Sequence, residues 1–419
     1  MRSVAYSAWF LFFTSILISC TLSTQEKARE AELIKPGDKV GEMTVEQSST
    51  VPYLYIWKFC ENFPDEKIPT TFTSECDVPM VSGLDIDIGW FAKETKIDSN
   101  WNAMTWKLSI DGHQVALEDF DWQEMDFTQH GEDNKARSWT ITLRNLTPGK
   151  HTLQRVWTSD QAVDDGFDIY QPGRYEHVVN FTVLEKAVYP IFSSEVDVGQ
   201  HLYTSEKAQL DFLLYLPADY EKEPQQEWPM IVYLHGAPLR GATLELLMEE
   251  EPLPKQLMEA NDFPFIVVAP LGDGEFQFWA KDEMIKPLFT LLEEIQAKLS
   301  VDAERIYLTG NDMGGNGVWA IGLRYPEYFA ALAPVAGYFD YPFDVPENIC
   351  DLKDVPVWAF HGERDQIIPV EAEQELVDAL KACGGNAQIT VSPRMEIDVP
   401  YRVYENPELY DWFLSHQLK

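Results

Sequence analysis

The sequence predicts two successive domains, an all-β sandwich followed by a doubly wound α/β domain with a mostly parallel sheet. The chain has 419 residues, which is enough for two separate hydrophobic cores. From about Val51 to Leu184, short apolar runs alternate with turn residues, a pattern typical of β-sandwiches. From about Val188 onward, apolar strand-like runs alternate with segments of helical periodicity, which indicates repeated β-α units.

The composition is that of an acidic globular protein. Hydrophobic residues make up 45% of the chain and aromatic residues 13%. The net charge of −37 argues against a nucleic-acid partner and against adhesion to anionic lipid surfaces. Solubility is a simpler interpretation of this charge than an acidic recognition surface. The sequence has no Cys/His spacing typical of zinc sites, and we expect neither a metal nor another cofactor.

The N-terminus has the features of an export signal. Arg2 precedes an apolar stretch that ends near residue 20 and is short for a membrane span. The run Leu17-Ile18-Ser19-Cys20 resembles the lipobox of bacterial lipoproteins. It predicts a signal peptide over residues 1–19 and a lipid on Cys20 that anchors the protein in the bacterial cell envelope, outside the cytoplasm. The alternative is an ordinary secretory signal in which Cys20 has no role.

Residues 20–49 are polar and without strong periodicity, and they are predicted to be a tether. The β-sandwich is assigned to residues 50–186, in which residues 146–153 resemble the turn into a late strand of immunoglobulin-like domains. Its Trp and Tyr residues are interpreted mainly as core, with a carbohydrate platform as the alternative. The candidate strands are Asp85–Trp90, Met104–Ile110, Ser138–Leu143, Thr152–Trp157 and His177–Val183.

The α/β domain is assigned to residues 187–419. Its centre is the stretch Arg305–Pro326, in which a short apolar strand, a Gly-rich turn and a helix follow one another. This is the shape of a nucleophile elbow, which normally has the sequence G-x-S-x-G. The predicted strands are Leu210–Leu216, Met230–Leu234, Phe265–Ala269, Ile306–Thr309, Ala331–Val335, Val357–Phe360 and Ala387–Val391. One further helix is predicted behind Pro287, and another is predicted over Glu371–Ala382.

Four segments of this domain resemble α/β-hydrolases of the carboxylesterase type, close to feruloyl esterases and polyhydroxybutyrate-depolymerase-like enzymes. They are Tyr233–Gly236, Val301–Gly310, Phe360–Asp365 and Tyr404–Trp412. The resemblance covers residues 205–419, about half of the chain. It implies an α/β-hydrolase fold and a Ser–Asp–His triad that cleaves esters with the help of backbone N–H groups.

The chain departs from this pattern at the reacting groups. The elbow is Gly310-Asn311-Asp312-Met313-Gly314, so the nucleophile position holds Asp312. The acid position is Asp365, as in the family. The base position falls on Ile397, seven residues before Tyr404, and an Ile side chain cannot accept a proton.

The oxyanion region is expected to be weakened as well. It comprises Gly236, Ala237, Pro238 and Met313. Pro238 stands where the family usually has Gly, and a proline has no N–H to donate. The N–H of Met313 is retained.

These changes together predict a secreted, lipid-anchored protein whose esterase domain is catalytically degenerate and whose role is binding or accessory. The ligand would be a small molecule or a glycan or ester. The alternative is an active hydrolase, either esterase-like or with Asp312 as the nucleophile, as in haloalkane dehalogenases and epoxide hydrolases. Such an enzyme needs an unconventional base, for which His235 or His361 would be recruited, although both are better explained as structural residues at strand ends.

A third hypothesis is a carboxylate cluster at the former triad. Asp312 and Asp365 would be joined there by Glu396 or Asp398. Such a cluster would pair with a basic side chain, share protons or bind calcium. We expect a basic side chain first, shared protons second and calcium third. Arg394 and Arg402 are basic residues nearby in the sequence.

The remaining cysteines predict two disulfides. Export favours disulfide formation, and without Cys20 four cysteines remain. Four cysteines allow three pairings. Since each predicted domain contains two of them, we expect Cys60–Cys76 and Cys350–Cys383.

Overall fold

A computed structural model describes residues 33–418, apart from 49–52, 63–65, 130–131, 224, 261–262, 273–277, 341–342, 366 and 394–398. The chain forms two compact units. The first contains the described residues up to 184, except 53–54 and 79–83. These two short segments belong with residues 185–418 to the second unit. The predicted signal peptide and Cys20 lie outside the described residues.

The first unit consists almost entirely of strands. Its largest sheet has the order β1-β2-β9-β5-β3, with β8 paired to β9, and its second sheet has the order β4-β13-β10-β6-β7. The only described helix longer than a single turn is α1, Ile97–Ala103. The strands are β1 Lys39–Val40, β2 Met43–Gln47, β3 Leu54–Tyr55, β4 Thr71–Val78, β5 Gly83–Lys93, β6 Thr105–Ile110, β7 His113–Val115, β8 Trp122–Gln129, β9 Glu132–Arg144, β10 Gly149–Ser159, β11 Val163–Asp164, β12 Ile169–Tyr170 and β13 Gly173–Val183.

Alternating burial explains why these segments are strands. Strand β13 alternates buried and partly exposed residues along nearly its whole length, which fits a sheet with one face on the core. It pairs with β10 in antiparallel register over eleven residues, from Gly149 opposite Val183 to Ser159 opposite Gly173. Each of the five strands predicted for this region overlaps an observed strand.

The predicted tether was wrong for its C-terminal part. Residues 39–47 form β1 and β2, and β2 pairs with β9. Met43 and Val45 are buried, and they alternate with the polar residues Thr44 and Glu46. This period of two is a strand signal, but it is brief and the charged residues around it hide it.

Both predicted disulfides are present. Cys60 pairs with Cys76 in the first unit, with 5.2 Å between their Cα atoms. Cys350 pairs with Cys383 in the second unit, with a Cα separation of 5.5 Å. Both separations lie within the usual range for disulfides.

The second unit is built on an eight-stranded sheet of order β14-β15-β17-β16-β18-β19-β20-β21. Strand β15 runs antiparallel to both of its neighbours, and the pairs from β17 to β21 are parallel. The strands are β14 Gly199–Ser205, β15 Leu210–Leu216, β16 Trp228–Leu234, β17 Ile266–Pro270, β18 Val301–Asn311, β19 Ala331–Val335, β20 Val357–Gly362 and β21 Ala387–Ser392. The helices are α2 Leu244–Glu250, α3 Pro252–Leu257, α4 Asp282–Lys298, α5 Met313–Arg324, α6 Val370–Ala382, α7 Val399–Glu405 and α8 Pro407–Leu414.

The parallel strands carry the core of this unit. Every residue of β16, β17 and β19 is buried, as expected of strands covered on both faces. Strand β18 lies between β16 and β19, so its C-terminal end opens at the middle of the sheet. Parallel sheets bind ligands at the C-terminal edge of their strands, and this places the elbow where a site is expected. Among the described residues, no helix is long and apolar enough to cross a membrane.

Candidate functional site

The elbow between β18 and α5 has the sharp backbone turn that its glycines predict. Asp312 has φ 54° and ψ −115°, a conformation that is unfavourable for a residue with a side chain. A Cβ atom at Gly314 would lie 1.9 Å from the carbonyl oxygen of Leu234, and one at Gly310 would lie 2.5 Å from the same oxygen. The turn therefore passes so close to the end of β16 that only glycine fits at both positions.

The carboxylate of Asp312 accepts hydrogen bonds from the backbone around it. The N–H of Ala237 donates to Oδ2 at 2.9 Å, and the N–H of Met313 also donates to this carboxylate. Burial raises the pKa of Asp312, the two N–H donors lower it, and the nearby charge of Asp365 raises it, so that the pKa lies above its ordinary value. In α/β-hydrolases, the N–H after the nucleophile and an N–H from this loop stabilise the oxyanion. Here the carboxylate of Asp312 accepts the corresponding N–H groups, those of Met313 and Ala237.

The oxyanion side keeps a backbone donor next to Pro238. Pro238 lies within a short 3₁₀ turn, Ala237–Leu239, that Gly236 precedes. The donor toward the elbow is the N–H of Ala237, one residue earlier, and it is present. A proline early in a helical turn loses little, since the first N–H groups of a helix have no intrahelical partner.

A buried cation lies beside Asp312. Arg240 is 5% exposed, and its Nε donates to the carbonyl oxygen of Ala237 at 3.0 Å. Its guanidinium lies 5.0 Å from the ring centroid of Tyr53 and 5.3 Å from that of Phe278. The positive charge of Arg240 lowers the pKa of Asp312 and partly opposes the effect of burial.

Arg240 was not predicted from the sequence, because the candidate cations were basic residues close to the predicted base position, Ile397. Of the two candidates, Arg394 lies outside the described residues, and Arg402 is in α7. Arg240 follows the His235-Gly236 segment by only a few residues, and that proximity was the available signal.

Replacing Arg240 tests this electrostatic coupling. We expect Arg240→Met to raise the pKa of Asp312 further, because the nearest positive charge is removed while the carboxylate stays buried. The measurement is a pH titration of the Asp312 carboxyl carbon by NMR in the natural protein and in the variant. Arg324→Met is a suitable control, since Arg324 is exposed at the C-terminal end of α5 and pairs with Asp282. An unchanged or lowered pKa of Asp312 in Arg240→Met would contradict the coupling.

A second carboxylate, Glu251, lies between α2 and α3 and contacts this loop. It is 5% exposed, and its Oε1 accepts the N–H of Gly236 at 3.2 Å. The hydroxyl of Tyr233 hydrogen-bonds to Oε2 of Glu251 and lies 2.6 Å from Oδ1 of Asn311. Burial and the charge of Asp312 raise the pKa of Glu251 to about 7, against the hydrogen bonds from Tyr233 and Gly236. The consecutive N–H groups of Gly236 and Ala237 thus serve two different carboxylates.

His235 has structural contacts at both ring nitrogens. Nδ1 lies 2.8 Å from the carbonyl oxygen of Gly236, and the N–H of Gly272 donates to Nε2 at 3.1 Å. Burial lowers the pKa of His235 to about 4, so the ring is neutral at physiological pH. Trp279 is fully buried against this ring and donates from Nε1 to the carbonyl oxygen of His235 at 3.0 Å.

His361 is also fully engaged. Nδ1 lies 2.7 Å from Oε2 of Glu373, and Nε2 lies 2.9 Å from the carbonyl oxygen of Ile368. Although burial alone would lower it, the pKa of His361 is raised by its hydrogen bond to the Glu373 carboxylate. With acceptors at both nitrogens, the ring holds its protons and cannot take one from a substrate.

The acid position keeps one oxygen available. Oδ1 of Asp365 accepts the N–H groups of Ile367 and Ile368, each at 2.9 Å, which fixes the turn after β20. Oδ2 is 3.7 Å from Nε2 of His361. Ile397, at the predicted base position, lies outside the described residues, as do Glu396 and Asp398. Among the described residues, no group of three or more His, Cys, Asp or Glu side chains is arranged to hold a metal ion.

Comparison with known proteins supports a carboxylesterase-like hydrolase domain. Residues 278–404 match the family model described as phospholipase/carboxylesterase. The second unit is a carboxylesterase-like α/β-hydrolase domain. The match includes the elbow, strand β20 with Asp365 behind it, and helix α7.

Individual relatives are distant from this hydrolase domain. A curated protein of Yersinia pestis named "Putative carboxymethylenebutenolidase" is 27% identical over 133 residues, which is 27% of this chain and 48% of that protein. The chain therefore spans about half the length of the curated relative it matches. Among solved structures, a thermostable esterase is 18% identical, covers 83% of this chain and 99% of its own, and has a TM-score of 0.43. A ferulic acid esterase is 18% identical, covers 51% and 95%, and has a TM-score of 0.40.

Proposed function

We propose that the hydrolase domain is catalytically degenerate and that the protein has a binding or accessory role. The observation that supports this most directly is the hydrogen bond from the Ala237 N–H to the carboxylate of Asp312. Ester cleavage builds a second negative oxygen at that place. Two like charges about 4 Å apart repel by roughly 4 kcal/mol at an effective dielectric near 20, which corresponds to about a thousandfold in rate.

The residues that could serve as a general base support the same proposal. The ring nitrogens of His235 and His361 are taken by structural partners. The sequence places Ile397 where the family has its His. In triad hydrolases, loss of the nucleophile or the base costs on the order of a millionfold in turnover.

The chemistry that remains at the elbow suits recognition. Asp312 supplies a carboxylate, Arg240 a cation, and Phe278 an aromatic ring next to that cation. A small molecule or a glycan or ester fragment that offers hydrogen-bond donors would be a suitable ligand for this set. We further propose that the first unit is an immunoglobulin-like sandwich. We also propose that the protein is exported and anchored through a lipid on Cys20, which the Leu17–Cys20 segment supports.

The test is the esterase activity of the natural protein. We expect its rate on p-nitrophenyl acetate and butyrate to equal that of an Asp312→Ala variant, since neither protein has a serine nucleophile and both lack the base. A spectrophotometric assay with the buffer rate subtracted measures this, and circular dichroism checks that both proteins are folded. Turnover by the natural protein that Asp312→Ala abolishes would overturn the proposal.

A second candidate is a hydrolase that uses Asp312 as its nucleophile. The observation that favours it is the pair of carboxylates on successive N–H groups, with the pKa of Glu251 at about 7. Asp312 would attack a saturated carbon and expel a leaving group with its bonding electrons, forming an alkyl ester. Water, deprotonated by Glu251, would then add to the ester carbonyl and release the alcohol.

Isotope labelling separates the two candidates. Turnover of a panel of haloalkanes and epoxides in ¹⁸O-labelled water would place ¹⁸O in the carboxyl group of Asp312, which mass spectrometry of the peptide containing Asp312 detects. We expect an unlabelled peptide. Labelling that depends on substrate and disappears in Glu251→Gln would establish the second candidate instead.

A further inference from the structure

The first unit contains a cavity of about 370 Å³ with an aromatic wall. Trp157 stacks on Tyr175 with ring centroids 3.8 Å apart and an interplanar angle of 5°. Trp90 meets Trp157 edge-on at 5.2 Å and Tyr170 edge-on at 4.8 Å. Trp106 completes this wall. The cavity volume is in the range of small-ligand sites.

The tryptophans of this wall are not sealed in the core. Tyr170 and Tyr175 are buried, whereas Trp90, Trp106 and Trp157 are only partly buried and pack against them from the cavity side. Protein interiors are close-packed, and a core made only for stability would be expected to close a space of this size. The three indole side chains therefore keep some exposed surface beside the cavity.

Beside the aromatic wall, the cavity also carries the guanidinium of Arg155, two residues before Trp157 on β10. Arg155 lies 3.9 Å above the ring of Trp57, and its Nε donates to Nδ1 of His177 at 3.2 Å. Its other acceptors are the carbonyl oxygen of Asp87 and the side-chain oxygen of Asn62. In the part of the chain that the structure describes, no carboxylate forms an ion pair with it. Its hydrogen-bond partners are neutral and the charge of Asp87 acts on it without forming an ion pair, so this partly desolvated charge is costly unless a ligand also uses it.

The cavity also presents an acceptor. The carboxylate of Asp87 lines the cavity and accepts the indole N–H of Trp57 on Oδ1. The site thus offers a planar donor, Arg155, and a planar acceptor, Asp87, together with aromatic rings. An aromatic cage with a carboxylate would also suit a quaternary ammonium ion, but such a ligand would leave the donors of Arg155 unused.

We propose that this cavity binds a pyranose residue of a carbohydrate. The apolar face of the sugar ring would lie on an exposed indole face, and its hydroxyl groups would donate to Asp87 and accept from Arg155. A sugar ring combines these two surfaces, one apolar and one rich in both donors and acceptors. The proposal depends on residues of the first unit alone and does not rest on the function proposed for the hydrolase domain.

The test measures carbohydrate binding to the purified full-length protein by isothermal titration calorimetry. The probes are neutral xylo-, gluco- and manno-oligosaccharides in one arm and oligogalacturonates in the other. Binding in the first arm identifies a neutral pyranose, and binding confined to the second identifies a uronate whose carboxylate pairs with Arg155. Absence of binding in both arms would overturn the proposal.

Three variants locate the binding. Ala136 lines the cavity from strand β9, and Ala136→Leu fills the space without touching the aromatic wall. Asp87→Asn removes the acceptor charge and keeps the shape. We expect each to weaken binding by at least about tenfold, as the loss of a stacking or charged contact does. Lys107→Leu is the matched control, since Lys107 is exposed on β6 and does not line the cavity. Unchanged affinity in folded Ala136→Leu and Asp87→Asn would place the binding elsewhere and refute the proposal.

Discussion

The double variant Asp312→Ser/Ile397→His is expected to hydrolyse p-nitrophenyl esters at least about a thousandfold faster than the natural protein. Serine removes the charge that occupies the oxyanion hole, so the N–H groups of Ala237 and Met313 become available to a tetrahedral intermediate. Histidine supplies a base at Ile397, the position that the sequence predicts for it. Neither single variant is expected to gain activity, because a serine without a base and a base without a nucleophile are both ineffective.

The acid position gives this prediction its control. Oδ1 of Asp365 is held by the N–H groups of Ile367 and Ile368, which leaves Oδ2 to orient an imidazole. We expect Asp365→Asn to abolish most of the gain in the double-variant background, while an exposed substitution such as Glu363→Gln leaves it intact. A folded double variant without activity would mean that more than two side chains separate this site from an active triad.

The strands could be predicted best where the residues are fully buried. Leu210–Leu216 and Ala331–Val335 have the predicted bounds, because an unbroken apolar run bordered by polar residues has few other interpretations. The short strands β1 and β2 were missed, since two or three buried residues among many charges give a weak pattern. Helices α2 and α3 were also missed, because the acidic run around residue 250 does not show helical periodicity clearly.

The candidate site was predictable in its positions but not in its contacts. The glycine pattern indicated the elbow at Asp312, and the structure gives it the strained backbone of such a turn. The sequence did not indicate that the carboxylate accepts the oxyanion-hole N–H groups, because this depends on how the Ala237 loop meets the elbow. Glu251 was missed for a related reason. It belongs to a run of three glutamates that predicts an exposed surface, yet the chain turns there between α2 and α3 and carries one of the three inward.

Glu251 is expected to make the stability of the protein depend on pH between about pH 4.5 and pH 7. Its pKa is about 7 in the folded protein, against 4.5 without the fold. Between these values the folded protein binds more protons than the unfolded chain, so the free energy of unfolding falls as the pH rises through this window and levels off above pH 7. The shift corresponds to a loss of about 3 kcal/mol at neutral pH.

The variant Glu251→Gln should remove this dependence. Its amide cannot titrate, yet its oxygen can still accept the N–H of Gly236, and its NH₂ group can donate to the Tyr233 hydroxyl, which then donates to Asn311. Urea unfolding of both proteins between pH 4.5 and pH 8 measures the difference in their free energies of unfolding, in which the contributions of all other groups cancel. We expect this difference to change by about 3 kcal/mol across the window in favour of the variant at high pH. Glu249→Gln, at an exposed position of α2, provides the control with the same chemical change. If the stability curves of Glu251→Gln and the natural protein ran parallel, the prediction would be contradicted. Glu251 would then be ionised at neutral pH and would have no proton to exchange at this site.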